Sequence, residues 1–372
     1  MKKTVIIIRA NPVSPDTRVE RTVKMLSDDY NIKILAWDKS NLFKKNEISK
    51  DFIIHRNQGR RFKIKFVTRL FNFTSWIFFI YKNLLTEKYD AVHACDFDTY
   101  FFALIPVKIR KKKVIYDIFD FYAEMLYKKS RVIIQLIKKT DIFLMKFADL
   151  VIMADDSRYD QIFGEKLKNL ITVYNSPPDL LKQFQNNYNS RKKNFTISYL
   201  GLIDNEKRDL NFIIDTIKDF SDVRLNIYGS GKDFDLIKTK CEKIENVFVF
   251  ESVPYYEALK VGFESNIILS VYNPKIKNNI YASPNKVFES MMLKKPIIIN
   301  EEVMPAKIIK KYKCGVLYTY GSKNSFKNAV LNIKDNKSKE EKMSLISRNL
   351  YETVYSFDKN KDVLLSAYKK LL

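Results

Sequence analysis

The chain has 372 residues, of which 46% are hydrophobic, and its 66 Lys and Arg against 43 Asp and Glu give a formal net charge of +23. That length is too great for one ordinary core and suits two domains of a folded protein. Two histidines and three widely spaced cysteines argue against a multi-histidine metal site and a disulfide framework. Part of the charge reflects a Lys-, Ile- and Asn-rich composition. The remainder favours an anionic partner, and without a recognised nucleic-acid module we expect phosphorylated substrates or an anionic membrane surface rather than nucleic acid.

The first half of the chain alternates short, fully apolar runs with longer stretches of helical period. The opening segment, MKKTVIIIRANP, has only the brief apolar run Val5 to Ile8 and no small-residue cleavage site, so it predicts the first strand of a cytoplasmic protein rather than a signal peptide. Apolar runs without alternation are typical of parallel strands buried on both faces. We predict strands at Thr4–Arg9, Ile32–Trp37, Phe52–His55, Ala91–Ala94, Lys113–Asp117, Leu150–Met153 and Ile171–Tyr174.

The segment 60–85 combines a basic start with a strongly apolar helical pattern. One helical face, which a core can absorb, contains Val67, Leu70, Phe71, Thr74, Phe78 and Tyr81. A second face then carries Phe66, Phe73, Trp76 and Ile80. An additional apolar face flanked by cations favours a helix lying in the interface of an anionic membrane. A helix buried against two neighbours is the alternative.

Residues 175–194 interrupt the pattern with Pro177-Pro178 and several polar patches, which predicts a linker at 176–194. A second strand series follows at Thr196–Leu200, Arg224–Tyr228, Val247–Phe250, Ile267–Val271, Pro296–Asn300 and Gly315–Leu317. The pattern therefore predicts two Rossmann-like α/β domains with parallel sheets, at 1–175 (joined by a C-terminal helix at 352–372) and at 195–351. Two such domains facing a central cleft would bind ligands at the carboxyl ends of their strands.

The stretch YASPNKVFESMMLKKPIIIN, from Tyr281 to Asn300, carries the strongest chemical signal. Proline at the first helical position with a capping Ser or Asn predicts that a helix starts near Ser283-Pro284-Asn285. The free N–H groups of such a start form an anion site, to which Lys286 adds a charge. Glu289, one turn on, can accept two hydrogen bonds from vicinal hydroxyls such as those of a ribose. A surface helix with an ordinary capped start is the alternative.

The order of several motifs resembles one family. SPNKVFESMMLKKPIII resembles the donor-site motif of the family 4 retaining glycosyltransferases, glycosyl transferases of group 1 with the GT-B fold. SYLGLIDNEKRDLNFII, RLNIYGSGKD and FESVPYYEALKVGFESNIILSVY resemble the other donor-domain segments, and YDAVHACDFDTYFFALIP and KVIYDIFDFYAEM resemble acceptor-domain strands. The resemblance implies a metal-independent hexosyltransferase that uses a UDP- or GDP-linked sugar and no cofactor.

The resemblance also implies roles for single residues. Arg208 would meet the donor diphosphate with help from Lys286, Glu289 would hold the ribose, and Asp120 or Asp117 would orient the acceptor hydroxyl. The remaining nucleotide-binding positions implied in this way are Gly229, Gly231, Val253, Pro254, Ser283 and Asn285.

Three positions depart from the family pattern. The first of the family's two paired glutamates falls on Ala282, an arginine that often follows the strand glycine falls on Leu202, and the histidine of the acceptor-side turn falls on Phe119. We interpret His93 as structural, and Asp96 and Asp98 as a solvated or capping loop rather than a metal pair.

Without a spanning helix, the basic, aromatic first half suits a lipid-linked, diphosphate-bearing or oligosaccharide acceptor. The predicted location is the inner face of the cell membrane, in surface polysaccharide or glycan assembly. A sugar-nucleotide epimerase or phosphorylase on the same fold, and a non-enzymatic membrane- or nucleic-acid-binding protein, are the competing hypotheses.

Overall fold

The computed structural model describes residues 2–126, 129–162, 167, 169–186 and 194–372, which form two compact units. The first unit comprises Met1–Tyr174 with Asn360–Leu372, and the second comprises Asn175–Lys359. The predicted linker falls within the second unit. Its residues 187–193 lie outside the described part of the chain, and its residues Leu181–Asn186 form a helix that the sequence did not indicate.

The first unit is built on one sheet whose central strands are apolar and buried on both faces. Its strands are β1 (Thr4–Arg9), β2 (Asn31–Asp38), β3 (Asn46–Ile48), β4 (Ile53–Gln58), β5 (Ala91–Cys95), β6 (Lys113–Ile118), β7 (Leu150–Met153) and β8 (Leu170–Thr172). Their spatial order is β3-β4-β2-β1-β5-β6-β7-β8, with β3 antiparallel to β4 and the other ladders parallel. The predicted strands of this half are confirmed to within three residues. The sequence missed β3 because all of its residues are exposed and form no apolar run.

The helices of the first unit lie on the two sides of this sheet. They are α1 (Thr17–Leu26), α2 (Lys65–Thr86), α3 (Phe97–Ile109), α4 (Tyr122–Met125) and α5 (Arg131–Met145), followed by a 3₁₀ helix at Asp156–Ile162. The connections through α2, α3 and α5 all progress in one direction along the sheet, whereas the connection through α1 progresses in the other. Because parallel crossovers are right-handed, α2, α3 and α5 share one side of the sheet and α1 lies on the other. Within the described residues, no helix has the length and apolar content needed to cross a membrane.

The prediction of which face of α2 is buried is wrong. The buried residues are Asn72, Trp76, Phe79, Ile80, Asn83 and Leu84, and the indole of Trp76 stacks 5.5 Å from that of Trp37. The face expected to enter the core is largely exposed, including Leu70, Phe71 and Phe78. Two asparagines lie on the buried side, so the buried positions do not follow an apolar helical period. Their amides are satisfied locally, since Asn83 Nδ2 donates to Phe79 O at 2.7 Å and Asn72 Nδ2 donates to Arg60 O at 3.1 Å.

The second unit is a six-stranded, fully parallel sheet. Its strands are β9 (Phe195–Leu200), β10 (Val223–Tyr228), β11 (Val247–Phe250), β12 (Ile267–Ser270), β13 (Ile297–Asn300) and β14 (Gly315–Tyr318), in the spatial order β11-β10-β9-β12-β13-β14. The six predicted strands are confirmed to within one residue. The topology reverses direction at β9, between β10 and β12, which is where doubly wound sheets bind ligands.

The helices that cover the second sheet complete the chain. They are α6 (Leu181–Asn186), α7 (Asn205–Arg208), α8 (Asn211–Ile217), α9 (Phe234–Cys241), α10 (Tyr255–Phe263), α11 (Lys277–Ile280), α12 (Asn285–Met292), α13 (Ala306–Tyr312), α14 (Lys323–Lys334) and α15 (Lys337–Leu350). A π-helical turn at Tyr351–Tyr355 leads to α16 (Phe357–Leu371), whose residues from Asn360 onward belong to the first unit.

Candidate functional site

The predicted donor-binding residues of the second unit lie around the carboxyl ends of β9 and β10. The loops after these strands are joined by backbone hydrogen bonds. The N–H of Gly201 donates to Tyr228 O at 2.8 Å, and the N–H of Gly229 donates to Phe250 O at 3.1 Å. The ends of β9, β10 and β11 therefore form one continuous edge.

Glycine is required where these loops cross. A Cβ on Gly229 would lie 1.8 Å from Gly201 O, and a Cβ on Gly231 would lie 2.1 Å from Ile203 O. Both distances are far below van der Waals contact, so a side chain at either position would force the loops apart. The two predicted glycines therefore set how closely the loops of this edge approach.

Arg208 is the last residue of the one-turn helix α7, which Asp204 caps by accepting a hydrogen bond from Lys207 N. Its guanidinium lies 3.9 Å from the ring centroid of Tyr272, and its Nη1 donates to Asn279 Oδ1 at 3.0 Å. The Nδ2 atom of Asn279 in turn donates to Lys207 O at 3.1 Å. An aromatic ring and an amide therefore hold this cation in place, and its charge stays available to an anion.

Lys286 is the second residue of α12, and its ammonium group lies 5.2 Å from the ring centroid of Tyr199. Burial, together with the like charge of Arg208, lowers the pKa of Lys286 to about 8, although the charge of Glu289 opposes this shift. A Cβ at Gly201 would lie 2.9 Å from Lys286 Nζ, so glycine at this position leaves room for the ammonium group. Two cations therefore share this edge of the sheet at an electrostatic cost that a bound anion would remove.

Glu289 lies one turn further along α12 and is buried. Its Oε1 accepts a hydrogen bond from Tyr255 Oη at 2.8 Å. Tyr255 is the first residue of α10 and directly follows Val253 and Pro254. The structure thus brings the predicted Val253-Pro254 loop next to the predicted ribose ligand. Apart from its place beside that loop, Tyr255 carries no local motif from which a role could be predicted.

The start of α12 differs from the expectation. Pro284 is the N-cap residue, no side chain makes a capping hydrogen bond there, and the helix begins at Asn285. The prediction of a proline at the first helical position, preceded by a capping side chain, is therefore wrong. The preceding residue, Ser283, contributes its carbonyl oxygen, which accepts a hydrogen bond from Asn175 Nδ2 at 2.9 Å. The first turn of α12 thus follows a segment tied to Asn175.

Asp117, one of the two carboxylates predicted to orient the acceptor, lies near the end of β6 and is buried. Arg18 Nη2 donates to Asp117 Oδ1 at 2.6 Å, and His93 Nε2 lies 3.1 Å from Asp117 Oδ2. The other ring nitrogen of His93 lies 2.6 Å from Tyr368 Oη. Burial acts to raise the pKa of Asp117, but Arg18 and His93 together bring it below its ordinary value. His93 thus lies in a buried hydrogen-bond network with Asp117 and Tyr368, which supports the interpretation of His93 as structural.

Asp120 is the more accessible of the two predicted acceptor-side carboxylates. Its side chain is 40% exposed, and its Oδ1 accepts from Arg158 Nη2 at 2.8 Å. Phe119, which stands where the family pattern has a histidine, lies beneath two guanidinium groups, those of Arg9 at 4.3 Å and Arg18 at 4.9 Å. The cations of this turn therefore meet an aromatic face rather than an imidazole.

Asp96 holds the same turn together. Its Oδ1 accepts from Phe119 N at 2.8 Å and its Oδ2 pairs with Arg9. Burial and the charge of Asp96 raise the pKa of Asp98 to about 6. Across the residues that the structure describes, no group of three or more His, Cys, Asp and Glu side chains is arranged to hold a metal ion.

One family model matches part of the chain, most of the second unit. Residues 182–350 match the model described as glycosyl transferases group 1. A search of the curated proteins finds no match.

Solved structures of similar architecture span the whole chain. Sucrose-phosphate synthase from Thermosynechococcus elongatus has a TM-score of 0.79 at 11% identity, over 100% of this chain and 99% of that one. HepE from Anabaena, in complex with UDP and glucose, has a TM-score of 0.72 at 11% identity, over 99% of this chain and 100% of that one. A protein assigned as a UDP-N-acetylglucosamine 2-epimerase from Listeria monocytogenes has a TM-score of 0.63 at 14% identity, over 100% and 96%. These likenesses establish the fold, and the prediction of GT-B with two Rossmann-like parallel-sheet domains is confirmed.

Proposed function

We propose that this chain is a retaining glycosyltransferase that moves a hexose from a UDP- or GDP-linked donor to a lipid-linked glycan acceptor during the assembly of surface polysaccharide or related glycans. The family match over 182–350 supports sugar transfer. The observation that carries the proposal is the pair of cations, Arg208 and Lys286, at the edge of the second sheet beside the buried Glu289. HepE, which shares the fold, is solved with UDP-glucose, and this supports a nucleotide-sugar as the donor class.

In this proposal each group has a separate task. Arg208 and Lys286 stabilise the negative charge that develops on the departing diphosphate, in place of a metal ion. Glu289, oriented by Tyr255, accepts hydrogen bonds from the ribose hydroxyls. The leaving diphosphate takes the acceptor proton on the same face of the sugar, so the protein contributes position and charge rather than a nucleophile. Asp120, the exposed carboxylate, orients the acceptor hydroxyl.

A thermal-shift series tests the donor site. UDP, GDP, CDP, ADP and their common sugar conjugates are added to the purified full chain. A ligand present at about 100 times its dissociation constant adds roughly 2.7 kcal/mol of stability. We expect stabilisation by one nucleotide diphosphate, and loss of that stabilisation in the double variant Arg208→Ala, Glu289→Ala. Wild-type protein that no nucleotide stabilises would overturn the donor assignment.

Product analysis separates transfer from epimerisation, because a Listeria protein assigned as an epimerase shares the fold. We expect nucleotide diphosphate to be released only when acceptor is present, to be released equally in EDTA, and to leave a product whose anomeric coupling in the NMR spectrum matches that of the donor. Conversion of the donor sugar without acceptor would favour the epimerase hypothesis, and an inverted anomer would contradict retention.

We place this reaction at the cytoplasmic surface of the cell membrane. The net charge of +23 and the basic segment before α2 favour contact with anionic lipids. Fractionation of cells that produce the tagged full chain should recover it with membranes at low salt and release it at high salt. Recovery only in the soluble fraction at low salt would contradict the location.

A further inference from the structure

Three neighbouring helices of the first unit expose large apolar side chains on their outer faces. On α2 the exposed residues include Phe66 at 72% and Phe78 at 69%, on α3 Ile109 at 66%, and on α5 Val132 at 77%. The same surface continues through Leu70, Phe73, Phe101, Ile105, Leu136 and Phe143. Monomeric proteins rarely expose a contiguous apolar surface that extends over three elements, and such surfaces mark contact sites.

The three faces are continuous because the helices pack side by side. The ring of Phe73 on α2 lies 5.6 Å from that of Phe102 on α3. The hydroxyl of Tyr100 on α3 donates to Leu144 O on α5 at 2.7 Å. The inner sides of α2 and α3, together with Met145 of α5, lie in the hydrophobic core against the sheet, so the exposed apolar residues are in excess of what the fold needs. We call this outer surface of α2, α3 and α5 the apolar face.

Cations border the apolar face. Lys63 and Lys65 are exposed at the start of α2, and α2 itself contains no acidic residue. On the side of α2 that faces β4, a cavity of about 540 Å³ is lined by Lys45, Arg60 and Lys82 among other residues. The acid that also lines this cavity, Glu87, is already paired with Lys33 at 2.6 Å. The border therefore offers positive charge beside apolar surface.

We propose that the apolar face docks on an anionic lipid bilayer, with its side chains in the acyl boundary and with lipid phosphates against the bordering lysines and the cavity cations. Apolar surface beside Lys and Arg is the pattern of interfacial membrane binding. A second copy of the chain fits less well, because it would bring the same positive border and the same net charge of +23 to the contact. The proposal deepens the membrane location proposed above and rests on it, but it is independent of the donor site.

Vesicle co-sedimentation of the full chain tests the surface. The wild type should bind vesicles that contain phosphatidylglycerol and should bind phosphatidylcholine vesicles weakly. The variant Lys63→Gln, Lys65→Gln, Lys82→Gln should lower the partition coefficient about a hundredfold. The matched control neutralises three exposed lysines of α13 in the second unit (Lys307→Gln, Lys310→Gln, Lys311→Gln) and should retain binding close to that of the wild type, although its net charge changes equally.

The apolar part of the surface is tested by Phe66→Ser, Leu70→Ser, Phe78→Ser, with Leu236→Ser, Leu345→Ser on the exposed surface of the second unit as the control. The α2 variant should lose at least tenfold in vesicle binding, and the control should lose little. Equal urea midpoints and an unchanged thermal shift with the nucleotide identified for the wild type show that the variants are folded and that the donor site is intact. Equal loss in test and control variants would overturn the docking surface.

Analytical ultracentrifugation tests whether a second copy of the chain, rather than a bilayer, covers the apolar face. If the wild type is a dimer without lipid and the variant Phe66→Ser, Leu70→Ser, Phe78→Ser is a monomer, the apolar face is an interface between two copies and the proposal is wrong. Vesicle binding without a thermal shift by any nucleotide would support the docking surface and contradict the proposed transferase. A thermal shift without vesicle binding would support the donor site and contradict the docking surface.

Discussion

The two sheets end in edges that hold their cations by different means. In the first unit, Arg18 pairs with Asp117, and Arg9 pairs with Asp16 and Asp96, so each guanidinium has a carboxylate within the same cluster. In the second unit, Arg208 lies on the ring of Tyr272 and Lys286 faces Tyr199. A cation paired with a buried carboxylate has little charge left for a ligand, and the fold is destabilised when one partner is removed. A cation held by aromatic rings and amides keeps its charge for an incoming anion.

The loops behind these edges differ in the same sense. The first loop of the first unit, between Arg9 and Asp16, is closed by side chains, since both Asn11 Nδ2 and Arg9 Nε donate to Asp16 Oδ2. The corresponding loop of the second unit, which follows β9, is held by backbone hydrogen bonds from Gly201 N to Tyr228 O and from Ile203 N to Ser230 O. Backbone closure spares side chains, so the second edge can present Arg208 and Lys286 to a ligand. Mutations should therefore affect stability at the first edge and binding at the second.

The largest effect is expected for Asp117→Asn in the first unit. The substitution keeps the shape but removes the charge that compensates buried Arg18, and breaking a buried pair in this way costs about 3–5 kcal/mol. Urea unfolding followed by circular dichroism measures the change. The control Asp222→Asn breaks the exposed pair with Lys334 and should cost less than about 1 kcal/mol. A stable Asp117→Asn protein that has lost transfer activity would instead make Asp117 the group that orients the acceptor.

In the second unit, the largest effect on the fold is expected from Gly229→Ala. The added Cβ would meet Gly201 O at 1.8 Å, so the loops must separate, at a cost of roughly 3 kcal/mol, and nucleotide binding should be lost with them. Gly321→Ala is the control, because a Cβ there has no neighbour within 4 Å and only its positive φ of 75° opposes the change, at about 1 kcal/mol. Equal melting temperatures for the two variants would show that the close approach of the loops is unimportant.

Arg208→Gln should lower affinity without lowering stability. The loss of a charged contact to the diphosphate costs about 2 kcal/mol, roughly 30-fold in the dissociation constant measured by calorimetry. Because Arg208 has like charge to Lys286, its removal should leave the melting temperature of the ligand-free protein unchanged or slightly higher. Arg224→Gln is a matched control in the same unit, since Arg224 also lies 3.9 Å from an aromatic ring, that of Phe248, and donates to an amide oxygen, that of Asn226. If both variants bind the nucleotide equally well, Arg208 is a structural residue.

The sequence predicted one class of these features and missed another, for a physical reason. Strands buried on both faces are continuous apolar runs, so their positions could be read directly, and Arg208, Lys286 and Glu289 belong to local motifs. Tyr255, Tyr272 and Asn279 act only because separate loops meet at the sheet edge, which the local sequence does not encode. The buried face of α2 was missed for a related reason, because Asn72 and Asn83 are buried with their hydrogen bonds satisfied and so do not follow the apolar period.

The smallest effect is the pH dependence due to Lys286, which tests whether this cation, unlike those of the first edge, lacks a carboxylate partner. Its pKa of about 8 in the folded protein lies below the ordinary value of 10.5, so above about pH 8 Lys286 loses its charge in the ligand-free protein and must take up a proton to contribute to anion binding. Nucleotide affinity should therefore fall by up to about tenfold per pH unit between about pH 8 and pH 9, where Lys286→Arg should show a flatter profile. Titration of the nucleotide base is common to both proteins and cancels in the comparison.

Stability of the ligand-free protein should move in the opposite direction. Above the folded pKa of Lys286 the unfolded chain binds more protons than the folded one, so the contribution of this residue to the free energy of unfolding rises with pH, relative to Lys286→Arg. A nucleotide affinity that falls with pH while the free energy of unfolding rises is expected of a buried cation that has no carboxylate partner until an anion binds. If affinity and stability both fall with pH in the wild type relative to Lys286→Arg, then Lys286 is held by a carboxylate after all, and the second edge would resemble the first.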